Sequence, residues 1–188
     1  MKPMGTKLWL SLVMVGWLLV LPTVGWCQHY KTTAATVSFS SDAPLETIKA
    51  QSNQLAAVVS PTTRVFAFSV QVSTFQGFNS ALQRQHFNEN YLQSDKYPYG
   101  TFKGKIIETV NLSQNGTYQV RAKGILDIHG VKKERIIPAT VVVNGNQLTI
   151  RAQFDVPLVD HDIRIPKVVN QKIAELITIT VTGNLGLN

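Results

Sequence analysis

The chain has 188 residues, of which 44% are hydrophobic and 15% charged, and its net charge is +7. That composition excludes a disordered chain and a fibrous repeat, and no Lys/Arg cluster marks a nucleic-acid surface. One Cys, three Met and three Trp all fall in the first 27 residues, as Met1, Met4, Trp9, Met14, Trp17, Trp26 and Cys27. From Gln28 onward there is none, which excludes disulfides, thiol catalysis and Cys-ligated zinc or haem there.

The first element is a leader. Lys2 and Lys7 precede an apolar run from Leu8 to Leu21, and Pro22 and Gly25 then break it. A basic start, a short apolar core and a small-residue exit are the parts of a secretory signal peptide. The run is shorter than the roughly 20 apolar residues that span a bilayer. Residues 1–27 are therefore expected to be removed, with cleavage after Cys27, or second after Gly25. Lipidation of Cys27 is disfavoured by the bulky Trp26 before it. Loss of Lys2 and Lys7 lowers the net charge to +5. Residues 28–188 are expected to form a single domain.

Alternation dominates that domain. Strands are expected near Thr33–Ser40, Leu45–Ala50 and Gln54–Val59. Phe66, Phe68, Val70 and Val72 then share one face, against Ser69, Gln71 and Ser73 on the other. Ser80 to Gln93 breaks the pattern. Ser80 with Gln83 resembles a capping box, Leu82, Phe87 and Tyr91 share a helical face, and Pro98 blocks continuation. Phe102 and Ile106 resume the alternation. So do Tyr118, Val120, Ala122, Gly124, Leu126 and Ile128, then Leu148, Ile150, Ala152, Phe154 and Val156, and last Ile177, Ile179 and Val181. A period of two over so many segments means half-buried antiparallel strands. Turn chemistry separates them at Asn115-Gly116, His129-Gly130 and Asn144-Gly145-Asn146.

About eight strands with short turns hide their edges by closing, so the expected fold is an all-β antiparallel barrel with one short helix; a two-sheet sandwich is the alternative. The inward set mixes large side chains with Ala122, Gly124 and Ala152. Such a barrel either fills its interior or holds one small ligand, and periodicity does not decide which. The aromatics Phe66, Phe68, Phe75, Phe78, Phe87, Phe102 and Phe154 are core residues on one reading and the wall of an apolar pocket on the other.

Chemistry-bearing residues are sparse. His29, His86, His129 and His161 lack metal-pair spacing, so surface or hydrogen-bonded histidines are expected and no metal site. Asp160-His161-Asp162 reads as a solvated loop; its chemical reading is a small acid–base or metal cluster, with two carboxylates that raise the histidine pKa. No Gly-x-Ser-x-Gly elbow and no Gly-rich phosphate loop occurs, and the sequence makes no case for an enzyme. Asn111-Leu112-Ser113 and Asn115-Gly116-Thr117 match glycosylation sequons.

The order of several stretches is characteristic. His86-Phe87-Asn88-Glu89-Asn90-Tyr91-Leu92, then Lys96-Tyr97-Pro98 and Thr101-Phe102-Lys103-Gly104, resembles a stretch of the YceI-like family. Gly124-Ile125-Leu126-Asp127-Ile128-His129-Gly130-Val131-Lys132-Lys133 resembles its second hallmark, a strand ending in a His-Gly turn. Phe154-Asp155-Val156 and Asp160 to Pro166 resemble its closing segment. The resemblance spans roughly Val65 to Asn184. It implies a secreted or periplasmic bacterial protein, a lipocalin-like barrel and an axial tunnel holding a long isoprenoid-type lipid, such as a polyisoprenoid or isoprenoid quinone. It implies no catalytic residue and no cofactor beyond such a lipid. The ligand-binding set expected on that basis is Phe66, Phe68, Val70, Phe102, Ile106 and Val120, with Leu126, Ile128 and Phe154 from the later strands. Phe87 and Tyr91 would stand near the mouth. The expected partner is a long-chain lipid, with no nucleic acid and no membrane span after signal cleavage; a homodimer stays open. The rival is a secreted stress-response or protein-interaction module with a filled barrel. A third reading is a small hydrolase or isomerase using Asp160, His161 and Asp162.

Overall fold

The computed structural model describes residues 28–188. The leader, both cleavage positions and Cys27 lie outside the described residues. Eight strands follow one another around the wall: β1 Tyr30–Asp42, β2 Thr47–Val59, β3 Val65–Gln71, β4 Tyr99–Ile106, β5 Gly116–Ile128, β6 Val131–Asn144, β7 Gln147–Pro157 and β8 Leu176–Leu187. Each pairs antiparallel with the next, and β8 returns to β1, so the barrel is closed and has no free edge strand.

Antiparallel succession sends alternate connections to opposite ends. The β2–β3, β4–β5 and β6–β7 connections and both ends of the described chain gather at one end, called here the closed end. His29 and Asn188 exchange backbone hydrogen bonds there, at 3.0 and 2.9 Å. The β1–β2, β3–β4, β5–β6 and β7–β8 connections gather at the other, the mouth end.

Alternation places the inward residues as expected in β3, β5, β7 and β8. Val120 and Leu126 are buried while Arg121, Lys123 and Ile125 are exposed. Gly104 and Gly124 face each other across β4 and β5, and a Cβ on either would overlap the backbone of the opposite strand. Glycine is required at this pair by close approach of the two chains.

The wall departs from the sequence reading in four places. The strands expected at Leu45–Ala50 and Gln54–Val59 fall in one continuous strand, β2, that starts at Thr47. A β-bulge between Ser52 and Leu55 shifts the inward phase from Ile48, Ala50 and Ser52 to Leu55, Ala57 and Val59, and so mimics a break. β6 has no counterpart in the expected set, because the runs Ile136-Ile137 and Val141-Val142-Val143 mask its alternation. Asn115-Gly116 is not a tight hairpin centre. It ends a longer connection, residues 107–115, that tucks the buried Leu112 into the barrel. Tight two-residue turns do form at His129-Gly130 and Gly145-Asn146, with φ of 54° and 74° at the first pair and 56° at Gly145.

The fourth departure is the helix. Only Ala81–His86 is α-helical (α1), and Phe87–Tyr91 continues it as a π-helical turn. The Ser80 hydroxyl accepts the Gln83 amide at 3.2 Å, as an N-cap should. The Gln83 side chain accepts from the Asn79 amide rather than from Ser80. Leu82 is exposed and does not share a face with Phe87 and Tyr91; the wider π-turn leaves those two facing inward.

Two ladders stop short of the mouth. β2 pairs with β3 only over Ala56–Val59, and β6 pairs with β7 only from Ala139 onward. Pro138, which has no N–H to donate, sits where β6 leaves β7. Segments without strand geometry fill both openings. Gln51 and Gln76 exchange backbone hydrogen bonds beside the first, at 2.8 and 2.9 Å, and Ser52 bonds Thr74 at 2.6 Å. The 3-10 turn Leu158–His161 fills the second, where Arg135 donates to the Asp155 carbonyl and pairs with Asp160 at 3.5 Å.

Candidate functional site

The barrel surrounds a cavity of about 450 Å³. That lies within the range of about 300–1,000 Å³ typical of small-molecule sites. It is sealed at the closed end by Leu112, Leu148 and Leu185, which are essentially fully buried, and by Tyr30, whose hydroxyl donates to the Leu112 carbonyl at 3.3 Å. Burial pushes the Tyr30 phenol above its ordinary pKa.

All eleven residues named from the sequence border this cavity. Phe66, Phe68 and Phe102 cluster low in it, with ring centroids 5.0 Å apart for Phe66–Phe102 and 5.8 Å for Phe66–Phe68. Val70, Ile106, Val120, Leu126, Ile128 and Phe154 line the wall around them, and Phe87 and Tyr91 stand at the roof. Phe68, Phe102 and Phe154 point inward yet stay only half-buried, because they face the cavity instead of packed neighbours. The interior is therefore not a filled core, which counts against the filled-barrel reading.

The roof holds a second aromatic cluster around Phe87. Phe78, Phe39 and Phe75 surround it at 5.1, 5.4 and 5.6 Å. Such ring pairs add to stability beyond the area they bury. Phe39 is a wall residue that sequence reasoning missed, though its spacing from Val37 and Ser41 carried the signal. Ile137, Ala139 and Val141 were missed with β6. Ile163, Ile165, Val169 and Ile173 were missed because an irregular loop has no period to read.

Polar groups on the wall are few and are grouped at the mouth: Ser41, Glu46, Gln83, His86, Thr101 and Lys172. His86 and Lys172 both border the cavity and are exposed, so the cavity reaches solvent beside them. The Glu46 carboxylate accepts from Gln83 at 2.6 Å and from Asn79 at 3.2 Å. Burial raises the Tyr91 phenol above its usual range, as an apolar setting requires.

The Asp160-His161-Asp162 cluster is not a solvated loop. His161 is fully buried, while Asp162 is exposed with φ 55°. The His161 Nδ1–H donates to the Val131 carbonyl at 3.1 Å, and His129 Nδ1–H donates to the His161 carbonyl at 3.0 Å. Neither carboxylate hydrogen-bonds to the imidazole. Burial pushes the His161 pKa down, the reverse of the sequence expectation. A neutral ring locked to backbone and absent from the cavity wall cannot meet a substrate there. His161 is a latch between the His129-Gly130 turn and the 3-10 turn. Tyr97 packs edge-on against His129 at 4.8 Å, and a Cβ at Gly130 would strike the Tyr97 ring. Among the described residues no group of three or more His, Cys, Asp or Glu is placed to hold a metal, and no helix is long and apolar enough to cross a membrane.

A closed eight-stranded antiparallel wall, an apolar interior and polar groups confined to one opening define a lipocalin-like barrel. The chain belongs to the YceI-like family, whose domain model matches residues 24–185. Its fold is similar to that of a polyisoprenoid binding domain from Saccharophagus degradans implicated in plant cell wall breakdown. The two share 11% identity over 86% of this chain and 99% of that one, with a TM-score of 0.74. BcnA of Burkholderia cenocepacia is 18% identical over 81% of this chain and 96% of its own, with a TM-score of 0.65. The YceI protein of Campylobacter jejuni is 12% identical over 71% of this chain and 80% of its own, at 0.56. No curated protein matches the sequence.

Proposed function

We propose that this protein is a non-catalytic carrier that holds a long-chain isoprenoid-type lipid in the barrel, and that it works in the periplasm or outside the cell. The carrying observation is the cavity itself: apolar along its depth, sealed at one end and polar only at its opening. That pattern suits an amphiphile with a long apolar tail and a polar head. Burial of tail surface drives binding, at about 25 cal/mol per Å² before ordering costs. The eleven residues from Phe66 to Phe154 named above supply the tail contacts, and the lipid is the only bound group required. Membership of the YceI-like family supports the reading, as does the Saccharophagus degradans neighbour, described as binding polyisoprenoids. The basic, apolar leader supports export.

The test is organic extraction and mass spectrometry of protein purified from its own host. A long-chain isoprenoid is expected, and a cavity-filling variant, Ala122→Phe with Ala152→Phe, is expected to fold and to lose it. Repeated recovery of wild type without any long-chain lipid overturns the reading.

A further inference from the structure

The four most exposed large apolar side chains among the described residues are Val168, Val159, Leu45 and Leu82, at 89, 77, 67 and 59%. All four stand at the mouth end. The segments that carry three of them are tied into one rim. Leu45 donates its backbone N–H to the Gln171 carbonyl at 2.9 Å, which joins the β1–β2 turn to the loop bearing Val168. Glu46, the next residue, binds Gln83 of α1, beside Leu82. Val168 is exposed while its neighbour Val169 lines the cavity, so the rim is continuous with the opening. Between Asp162 and Glu175, residues 163–174 carry Arg164, Lys167 and Lys172 and no acid. Arg164, Lys167 and Lys172 are exposed, and none makes an ion pair among the described residues. On the neighbouring segment the Glu46 carboxylate is engaged by Asn79 and Gln83.

Isolated exposed apolar side chains are ordinary on a protein surface, but a group of them around the opening of an apolar cavity marks an interaction site. We propose that this rim docks the mouth onto an anionic phospholipid bilayer, with Val168, Val159, Leu45 and Leu82 entering the interface and Arg164, Lys167 and Lys172 facing the headgroups. Apolar side chains beside cations are the combination that holds a surface at the headgroup boundary, and clustered Lys and Arg are drawn to anionic lipid. The inference rests on the carrier reading for its purpose: a long apolar tail that enters or leaves through a docked mouth does not cross water.

The full chain without its leader is floated with vesicles of phosphatidylcholine alone or mixed with phosphatidylglycerol. Lipid extraction of the same preparations is a separate readout. Wild type is expected to float with the mixed vesicles and to dissociate as salt rises. Val159→Asp with Val168→Asp is expected to lose at least about tenfold in partition. Arg164→Glu with Lys167→Glu is expected to lose the preference for phosphatidylglycerol by a similar factor. Wild type that stays soluble with both vesicles overturns the docking, whatever lipid it carries, and leaves a protein partner as the occupant of the rim. Either variant partitioning like wild type overturns it too. Flotation with no extractable lipid upholds the docking and removes the carrier reading.

Discussion

The two ends of the barrel are built on different principles. At the closed end the β1–β2, β6–β7 and β7–β8 ladders run to Tyr30, Asn144 and Gln147, and Leu112, Leu148, Leu185 and Tyr30 fill the space between the strands. At the mouth the β2–β3 and β6–β7 ladders stop early and 3-10 segments are fitted beside the gaps, while the α and π turns stand over the opening. Backbone hydrogen bonds and packed aliphatics hold the first end. Aromatic stacking, side-chain contacts and a pair of histidine latches hold the second. Stability in a protein is not uniform, and regions that must admit a ligand are drawn from its weaker parts. The closed end therefore carries the more stable packing, and on the proposed carrier function the mouth is where a ligand exchanges.

The largest expected effect is at the closed end. Leu148→Ala should cost about 2–5 kcal/mol, the range for emptying a buried leucine site. Urea denaturation checks it, and a loss well below that range would mean the seal contributes little. Phe87→Ala, at the mouth, should cost less, about 1–2 kcal/mol for a half-buried ring. It should instead speed release of bound lipid, followed with a labelled isoprenoid because no tryptophan follows Cys27. If Phe87→Ala destabilises as much as Leu148→Ala, the division between the ends fails.

The His161 latch gives the mouth a pH dependence. Its folded pKa lies below the ordinary value of 6.5, so the unfolded chain binds the proton more readily. The contribution is fully present above pH 6.5 and is lost as pH falls from there toward the folded pKa, by at most about 1.4 kcal/mol per pH unit for one proton. Thermal melts across that window should decline for wild type and decline less for His161→Phe. Equal declines would show that His161 is not held neutral.

The smallest effect belongs to the closed end. Glu108 accepts from both Nε and the backbone N–H of Arg121, each at 2.7 Å, and these bonds bring its pKa from 4.5 down to about 2. Its contribution is present above pH 4.5 and is lost as pH falls toward 2. Glu108→Gln should flatten acid unfolding in that window and change little at neutral pH, because the pair is exposed to solvent.

Much of this was legible in the sequence. Strict alternation in β5, β7 and β8 disclosed which side chains point inward, since a strand has only two faces. That is why Phe154, Leu126 and Ile128 could be turned inward from spacing alone, while their reading as a ligand wall came from the family resemblance. Legibility failed where one residue changes the phase, as at the Ser52–Leu55 bulge, and where outward positions are apolar, as at Ile136 and Val142. His161 was misread because its burial depends on a gap between β6 and β7, and nothing local to Asp160-His161-Asp162 encodes that gap. Cavity volume was also out of reach. It depends on how far two ladders extend.

The meeting of His29 and Asn188 at the closed end also fixes a direction. Any tether attached upstream of residue 28 pulls from the pole opposite the opening. A barrel held to a surface by that tether would point its entrance away from it, toward whatever lies across the intervening space. Fusion partners or immobilising tags at either terminus would likewise leave the entrance unobstructed, so the protein is oriented for capture on a sensor without further engineering.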